Sequence, residues 1–156
     1  MNTKSILGMI AIVFLVGCAT SYPVGLKPPV DSTSKRETTL FDCNGSPLAY
    51  VARDDEFTIY SFNGEPLAYL DEDNNVYGFD GRHLGWFEVN IIWNHQGQKV
   101  GFTADSCPVF TQLEPFKGSK QFKPFKGLKQ FAPFKPFKST AISNVGLLDF
   151  LKEGRN

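Results

Sequence analysis

Four stretches of this chain can be laid on one another. They are Leu40-Phe41-Asp42-Cys43-Asn44-Gly45-Ser46-Pro47-Leu48-Ala49-Tyr50, Ile59-Tyr60-Ser61-Phe62-Asn63-Gly64-Glu65-Pro66-Leu67-Ala68-Tyr69, Val76-Tyr77-Gly78-Phe79-Asp80-Gly81-Arg82-His83-Leu84-Gly85-Trp86 and Ile92-Trp93-Asn94-His95-Gln96-Gly97-Gln98-Lys99-Val100-Gly101-Phe102. Each copy reads aliphatic, aromatic, two variable positions, Asn/Asp/Gln-Gly, a variable pair, aliphatic, Ala or Gly, aromatic. Asn-Gly and Asp-Gly tolerate positive φ at both central positions, so each copy is expected to be a β-hairpin closed by a two-residue turn. The aliphatic columns suit a half-buried pleated surface. Within each hairpin the aromatics are expected to face one another, Phe41 with Tyr50, Tyr60 with Tyr69, Tyr77 with Trp86 and Trp93 with Phe102. The small column, Ala49, Ala68, Gly85 and Gly101, marks a close approach by a neighbour. Polar connectors such as Asp54-Asp55-Glu56 and Asp71-Glu72-Asp73 separate the copies.

A lone hairpin is barely stable in water, so four copies must share one core. Closing them into a ring removes every free sheet edge. The expected fold is therefore all-β: a shallow closed barrel of four hairpins with quasi-fourfold symmetry over residues 38–106. In segments such as Asn63-Gly64-Glu65-Pro66-Leu67-Ala68-Tyr69 and Gly81-Arg82-His83-Leu84-Gly85-Trp86-Phe87-Glu88 the chain resembles the four-fold beta flower proteins. The resemblance implies a square β-barrel with an apolar interior, and it implies no activity. Cys43 departs from the Phe or His at its column in the other copies.

Residues 107–140 are a low-complexity arm. Lys117, Lys120, Lys123, Lys126, Lys129, Lys135 and Lys138 alternate with Phe116, Phe122, Phe125, Phe131, Phe134 and Phe137, and the triplet Pro-Phe-Lys recurs at 115, 124, 133 and 136. The prolines forbid a continuous helix and favour an extended, polyproline-like course. Similar Pro-Phe-Lys tails accompany the beta flower family. Two placements are open. In one, the phenylalanines, Phe125, Phe134 and Phe137 among them, insert into an anionic membrane surface while the seven lysines meet headgroups. In the other, the phenylalanines pack along the barrel and the lysines point to water. Stacking on single-stranded nucleic acid conflicts with export, so no nucleic acid is expected. Residues 141–156 hold Val145, Leu147, Leu148, Phe150 and Leu151 ahead of Gly154 and read as a short amphipathic helix that packs on the domain.

The N-terminus supplies an address. Residues 1–17 have the charge, apolar run and small-residue close of a signal peptide. Leu15-Val16-Gly17-Cys18 resembles the bacterial lipobox, which implies that Cys18 becomes the mature N-terminus and carries lipid. Residues 18–37, with Pro23, Pro28 and Pro29, read as a flexible tether. The expected location is the cell envelope, anchored by lipid to a membrane. In a diderm host Ala19, rather than Asp, after the cysteine favours the outer membrane.

Chemistry is thin. Lys+Arg and Asp+Glu both number 16, so the total charge names no partner. Asp71, Asp73 and Asn75 start like a calcium loop, but Val76 and Arg82 occupy the positions of its Gly and closing Glu. Cys43, His83, His95 and Cys107 lack zinc-site spacing, and no hydrolase, phosphate-loop or metalloprotease motif occurs. No catalytic residue, metal or cofactor is assigned. Outside the cytosol, Cys43 and Cys107 flank the repeat block and can form a disulfide across the seam of the ring. The function expected is a non-enzymatic, lipid-anchored module that engages anionic lipid or an envelope protein. The alternative is a small envelope enzyme using His83 or His95 in a pocket.

Overall fold

The computed structural model describes residues 36–155. Eight antiparallel strands close into a barrel in chain order: β1 (Glu37–Phe41), β2 (Pro47–Ala52), β3 (Thr58–Ser61), β4 (Pro66–Leu70), β5 (Asn75–Tyr77), β6 (His83–Glu88), β7 (Ile91–Trp93) and β8 (Lys99–Phe102). The four hairpins are β1–β2, β3–β4, β5–β6 and β7–β8, as the repeat requires. A single residue pair, Phe41 with Phe102, closes the ring between β1 and β8.

The hairpin turns differ from the two-residue form. In each, the turn glycine alone has positive φ: Gly45 at 76°, Gly64 at 82°, Gly81 at 89° and Gly97 at 70°. Its N–H donates to the carbonyl three residues back, on Asp42, Ser61, Gly78 or Asn94, at 3.0–3.1 Å. That is a three-residue loop in which a type I turn leads into a left-handed glycine bulge. The short side chains of Asp42 and Asn94 help: each Oδ1 accepts from two backbone N–H groups of its own turn.

A bulge lies beside each turn, and the pairings between hairpins are regular. Inside each hairpin the aliphatic column pairs with the small one: Leu40 with Ala49, Ile59 with Ala68, Val76 with Gly85, Ile92 with Gly101. The two aromatics of a hairpin flank that pair on opposite sides, so Tyr69 lies opposite Thr58 and Tyr60 opposite Pro66, and they do not meet. The aromatics pair across the seams between hairpins instead: Tyr50 with Tyr60, Tyr69 with Tyr77, Trp86 with Trp93, Phe102 with Phe41. The two tyrosine pairs are stacked, each with centroids 5.9 Å apart. Aromatics therefore stitch hairpin to hairpin.

Alternation along the strands separates two apolar sets. Leu40, Val51, Ile59, Leu70, Val76, Leu84, Ile92 and Val100 form an aliphatic core, completed by α1 (Leu147–Lys152) through Leu147, Phe150 and Leu151. The small column exists for this helix. A Cβ on Gly101 would sit 2.7 Å from Leu147 Cδ1, and one on Gly85 would sit 3.1 Å from Phe150 Cζ while overlapping the Trp93 carbonyl oxygen. The second set comprises Tyr50, Tyr60, Tyr69 and Tyr77 with Phe62 and Phe79, in two separate clusters. Among the described residues no helix is long and apolar enough to cross a membrane. Cys18 and most of the 18–37 tether lie outside the described residues.

Candidate functional site

The arm is a strap over the barrel. From Pro108 to Thr140 it contains neither helix nor strand, yet it is fixed by hydrogen bonds to the hairpin turns in chain order. The backbone N–H groups of Gln112, Gln121, Gln130 and Ser139 donate to the carbonyls of Gly45, Gly64, Gly81 and Gly97, all at 2.8 Å. Those four donors are nine residues apart. One nonapeptide, of the type Gln-Phe-Lys-Pro-Phe-Lys-Gly-Leu-Lys at 121–129, thus serves one hairpin. Gly118 and Gly127 add second bonds, to Phe62 O and Phe79 O at 2.7 Å. The last nonapeptide carries Pro136 at that place, which has no N–H to give.

The turn glycines seat the strap as well as bending the chain. A Cβ on Gly45, Gly64, Gly81 or Gly97 would overlap the carbonyl oxygen of Phe110, Ser119, Leu128 or Phe137 respectively. Glycine is required there twice over, for its φ and for its missing side chain.

Within the strap, side chains repeat every three residues, the period of a polyproline II helix. One row turns inward and holds the lysines, all seven of them ion-paired. Lys117 meets Glu37 and Glu114; Lys120 meets Asp54 and Asp55; Lys123 meets Asp55 and Glu56; Lys126 meets Glu56; Lys129 meets Asp71; Lys135 and Lys138 both meet Glu88. Five of them also lie over rings of the barrel: Lys117 over Tyr50, Lys120 over Tyr60, Lys126 over Tyr69, Lys129 over Tyr77 and Lys138 over Trp93, at 4.5–5.4 Å from the centroids. Cations over aromatic faces and beside carboxylates attract both partners. The Lys123 ammonium, with Tyr60 Oη donating at 2.7 Å, holds Asp55 below the usual carboxylate range, and Lys135 and Lys138 do the same for Glu88.

A second row, of Gln, Pro and Gly, faces the turns. The third row points outward: Phe110, Leu113, Phe116, Ser119, Phe122, Phe125, Leu128, Phe131, Phe134 and Phe137. Its nine apolar members are each at least 86% exposed. The expectation that phenylalanines pack along the barrel while lysines face water is thus reversed. The lysines find carboxylates and ring faces that water would otherwise cover, and the phenylalanines are left outside. Of the binding residues expected from sequence, Phe125, Phe134 and Phe137 belong to the outward row, and the seven lysines face the barrel. Phe110, Leu113 and Leu128 were missed; the three-residue spacing would have found them.

The two histidines also meet. His83 Nδ1 and His95 Nε2 are 2.9 Å apart, and the His83 ring packs edge-on against Tyr77 and Trp86. His83 is buried, and its Nε2 has no hydrogen-bond partner. Burial, with His95 alongside, lowers His83 to about 4; burial also lowers His95. Cys43 and Cys107, the pair suggested for a bridge, are free thiols in this structure, both half-buried. Cys107 Sγ instead lies 3.7 Å from Asp42 O, beside the first turn. Asp71 spends its carboxylate on its own loop, accepting from the N–H of Asp73 and from the N–H and Nδ2 of Asn75. Among the described residues no three His, Cys, Asp or Glu side chains converge as a metal site would need.

Four bulged hairpins in a closed ring, with strap and helix behind them, are matched as a unit by a family model described as 4-fold beta flower protein, over residues 38–151. The chain belongs to that family. The match runs on past the barrel, so in this beta flower protein the strap and most of α1 fall inside the family's region. No curated protein and no solved structure matches the chain.

Proposed function

We propose that this beta flower protein is a non-enzymatic, lipid-anchored module of the cell envelope. Cys18 carries the lipid, residues 18–37 tether the domain, and the barrel is a rigid mount that presents the strap to membrane lipid or to an envelope protein. The observation that carries this reading is the outward row. The strap's other two rows are used up on the barrel, by ion pairs and by backbone hydrogen bonds, while nine large apolar side chains stay in water. Exposed apolar surface on this scale marks an interaction site.

The test is metabolic labelling of the full chain with a clickable fatty acid, followed by membrane fractionation. Wild type should be labelled and sediment with membranes, and Cys18→Ala should lose the label. Equal labelling of both forms would remove the anchor from the reading.

A further inference from the structure

The outward row fits one partner better than others, and we infer that it enters the acyl–headgroup boundary of a lipid bilayer through apolar contact alone, with no requirement for anionic lipid. The inference rests on the reading of the strap as the interaction surface and goes further by naming what it touches.

Three observations carry it. The first is chemical. The row contains only Phe, Leu and one Ser, whereas every Tyr and Trp of the described residues is buried on the barrel. The residues that carry most binding energy at protein interfaces are enriched in Tyr, Trp and Arg, which combine an apolar body with a hydrogen-bonding tip, and are poor in Leu and Ser. A row with no such tip suits a phase that offers no hydrogen bonds. The area is large: the seven phenylalanines alone present on the order of 1,000–1,500 Å², against roughly 300–600 Å² for the largest apolar patch of an ordinary monomer.

The second is shape. Successive members of the row are three residues apart, about 9 Å along a polyproline helix, so they form separate projections rather than a groove or a flat face. The strap passes the four turns in order, spanning three of the four intervals between hairpins. A folded partner would have to curve round the barrel and supply a pocket for each projection. Lipid flows around projections and can surround an immersed body on all sides.

The third is charge. The lysines beside the phenylalanines look like a headgroup-binding set, but all seven are neutralised by carboxylates of the barrel or strap. From Arg36 onward the chain carries 13 Lys and Arg against 15 Asp and Glu. A domain with net charge −2 gains nothing from an anionic surface.

Every strand, the strap and the helix lie within 36–155, and these residues close all strand edges and fill the core by themselves. The fragment 36–156, which lacks Cys18, can therefore be tested for co-sedimentation with vesicles. We expect it to bind neutral phosphatidylcholine vesicles and vesicles with added phosphatidylglycerol alike, within about twofold, at low and high salt. The triple variant Phe125→Ser, Phe134→Ser, Phe137→Ser should keep its melting temperature and lose about tenfold or more in partitioning. Binding confined to anionic vesicles and abolished by salt would overturn the inference, and so would the absence of binding to either. Absence of binding by the fragment alongside fatty-acid labelling of Cys18 in the full chain would leave the anchor intact and remove only the lipid role of the row.

Discussion

His83 Nδ1 and His95 Nε2 face each other at 2.9 Å, and only one proton fits between them. With that proton on His83 Nδ1, the buried Nε2 of His83 is a bare lone pair. Protonating His83 puts an N–H on that Nε2. Protonating His95 makes its Nε2 a donor, so His83 must shift its own hydrogen to the same buried place. Either way an N–H is stranded without an acceptor, which is costly in an apolar setting.

Stability should therefore depend on pH in the range of these groups. The folded value of His83, about 4, lies below its ordinary 6.5, so the unfolded chain binds the proton more readily. The contribution is complete above about pH 6.5, is lost as pH falls toward 4, and totals as much as about 3 kcal/mol. Below that, the ion-paired carboxylates Asp55 and Glu88, whose folded values are depressed, add a further loss as they protonate. A series of thermal melts should show the first step in wild type and a much flatter profile between pH 6.5 and 4.5 in His83→Phe. Identical slopes would mean the pair does not titrate with folding.

Gly64→Val tests the seat of the strap. The residue would hold φ near 82° with a β-branched side chain, and its Cβ would overlap Ser119 O. Strain of about 1–3 kcal/mol, with partial lifting of the strap, should lower the melting temperature by on the order of 5–15 °C. A melting temperature equal to wild type would contradict the bulged turn.

Glu88 alone binds the last two lysines of the strap. Glu88→Gln should loosen that end locally, since exposed ion pairs are each worth up to about 1 kcal/mol. Hydrogen exchange at the Ser139 amide, bonded to Gly97 O, should quicken roughly three- to thirtyfold, while amides of β3 and β4 keep their protection. Uniform acceleration everywhere would show that the strap opens only when the barrel does.

The β6–β7 connection offers a gain. Val89 and Asn90 both have positive φ, 51° and 62°, and Val89 is exposed. A β-branched residue is strained there, whereas asparagine is tolerated. Val89→Asn should stabilise by about 1 kcal/mol and raise the melting temperature by about 3–6 °C. A decrease would indicate that the valine makes a contact worth more than its strain.

Leu151 is fully buried in the aliphatic core although it comes from the C-terminal helix. Leu151→Ala should cost about 2–5 kcal/mol, and calorimetry should show one lowered transition. A loss under about 1 kcal/mol would mean that the helix covers the barrel rather than completing it.

The hairpins, their number and the closed ring were legible in the repeat, because glycine spacing and the alternation of aliphatic and aromatic are local signals. The register was not. Inside its hairpin Tyr69 stands opposite Thr58, and Tyr60 meets a ring, Tyr50, only through the pairing of β2 with β3, which depends on how the connectors join neighbouring hairpins. The meeting of His83 with His95 follows from the ring and could not be read from a spacing of twelve. For the strap, the composition was plain and its orientation was not. A lysine beside a phenylalanine does not reveal which faces water until the carboxylates of the connectors, Asp55 and Glu88 among them, are placed opposite. The nine-residue spacing of Gln112, Gln121 and Gln130 was present in the sequence, but it means something only against four turns.

The three-residue period gives the strap a reading frame. Insert one residue after Gly118, and every side chain beyond it turns by a third of a revolution relative to the turns that hold the backbone. Glutamines, prolines and a glycine would then stand where the apolar side chains were, with no apolar residue gained or lost and the composition almost unchanged. Three inserted residues would restore the facing but miss the next glycine, and only nine would restore both, by supplying the strap of a fifth hairpin that the ring does not have. Length variation in this segment is thus confined in a way that ordinary surface loops escape. Among beta flower proteins that share the strap, changes in its length are expected to come in nines and to be matched by a hairpin.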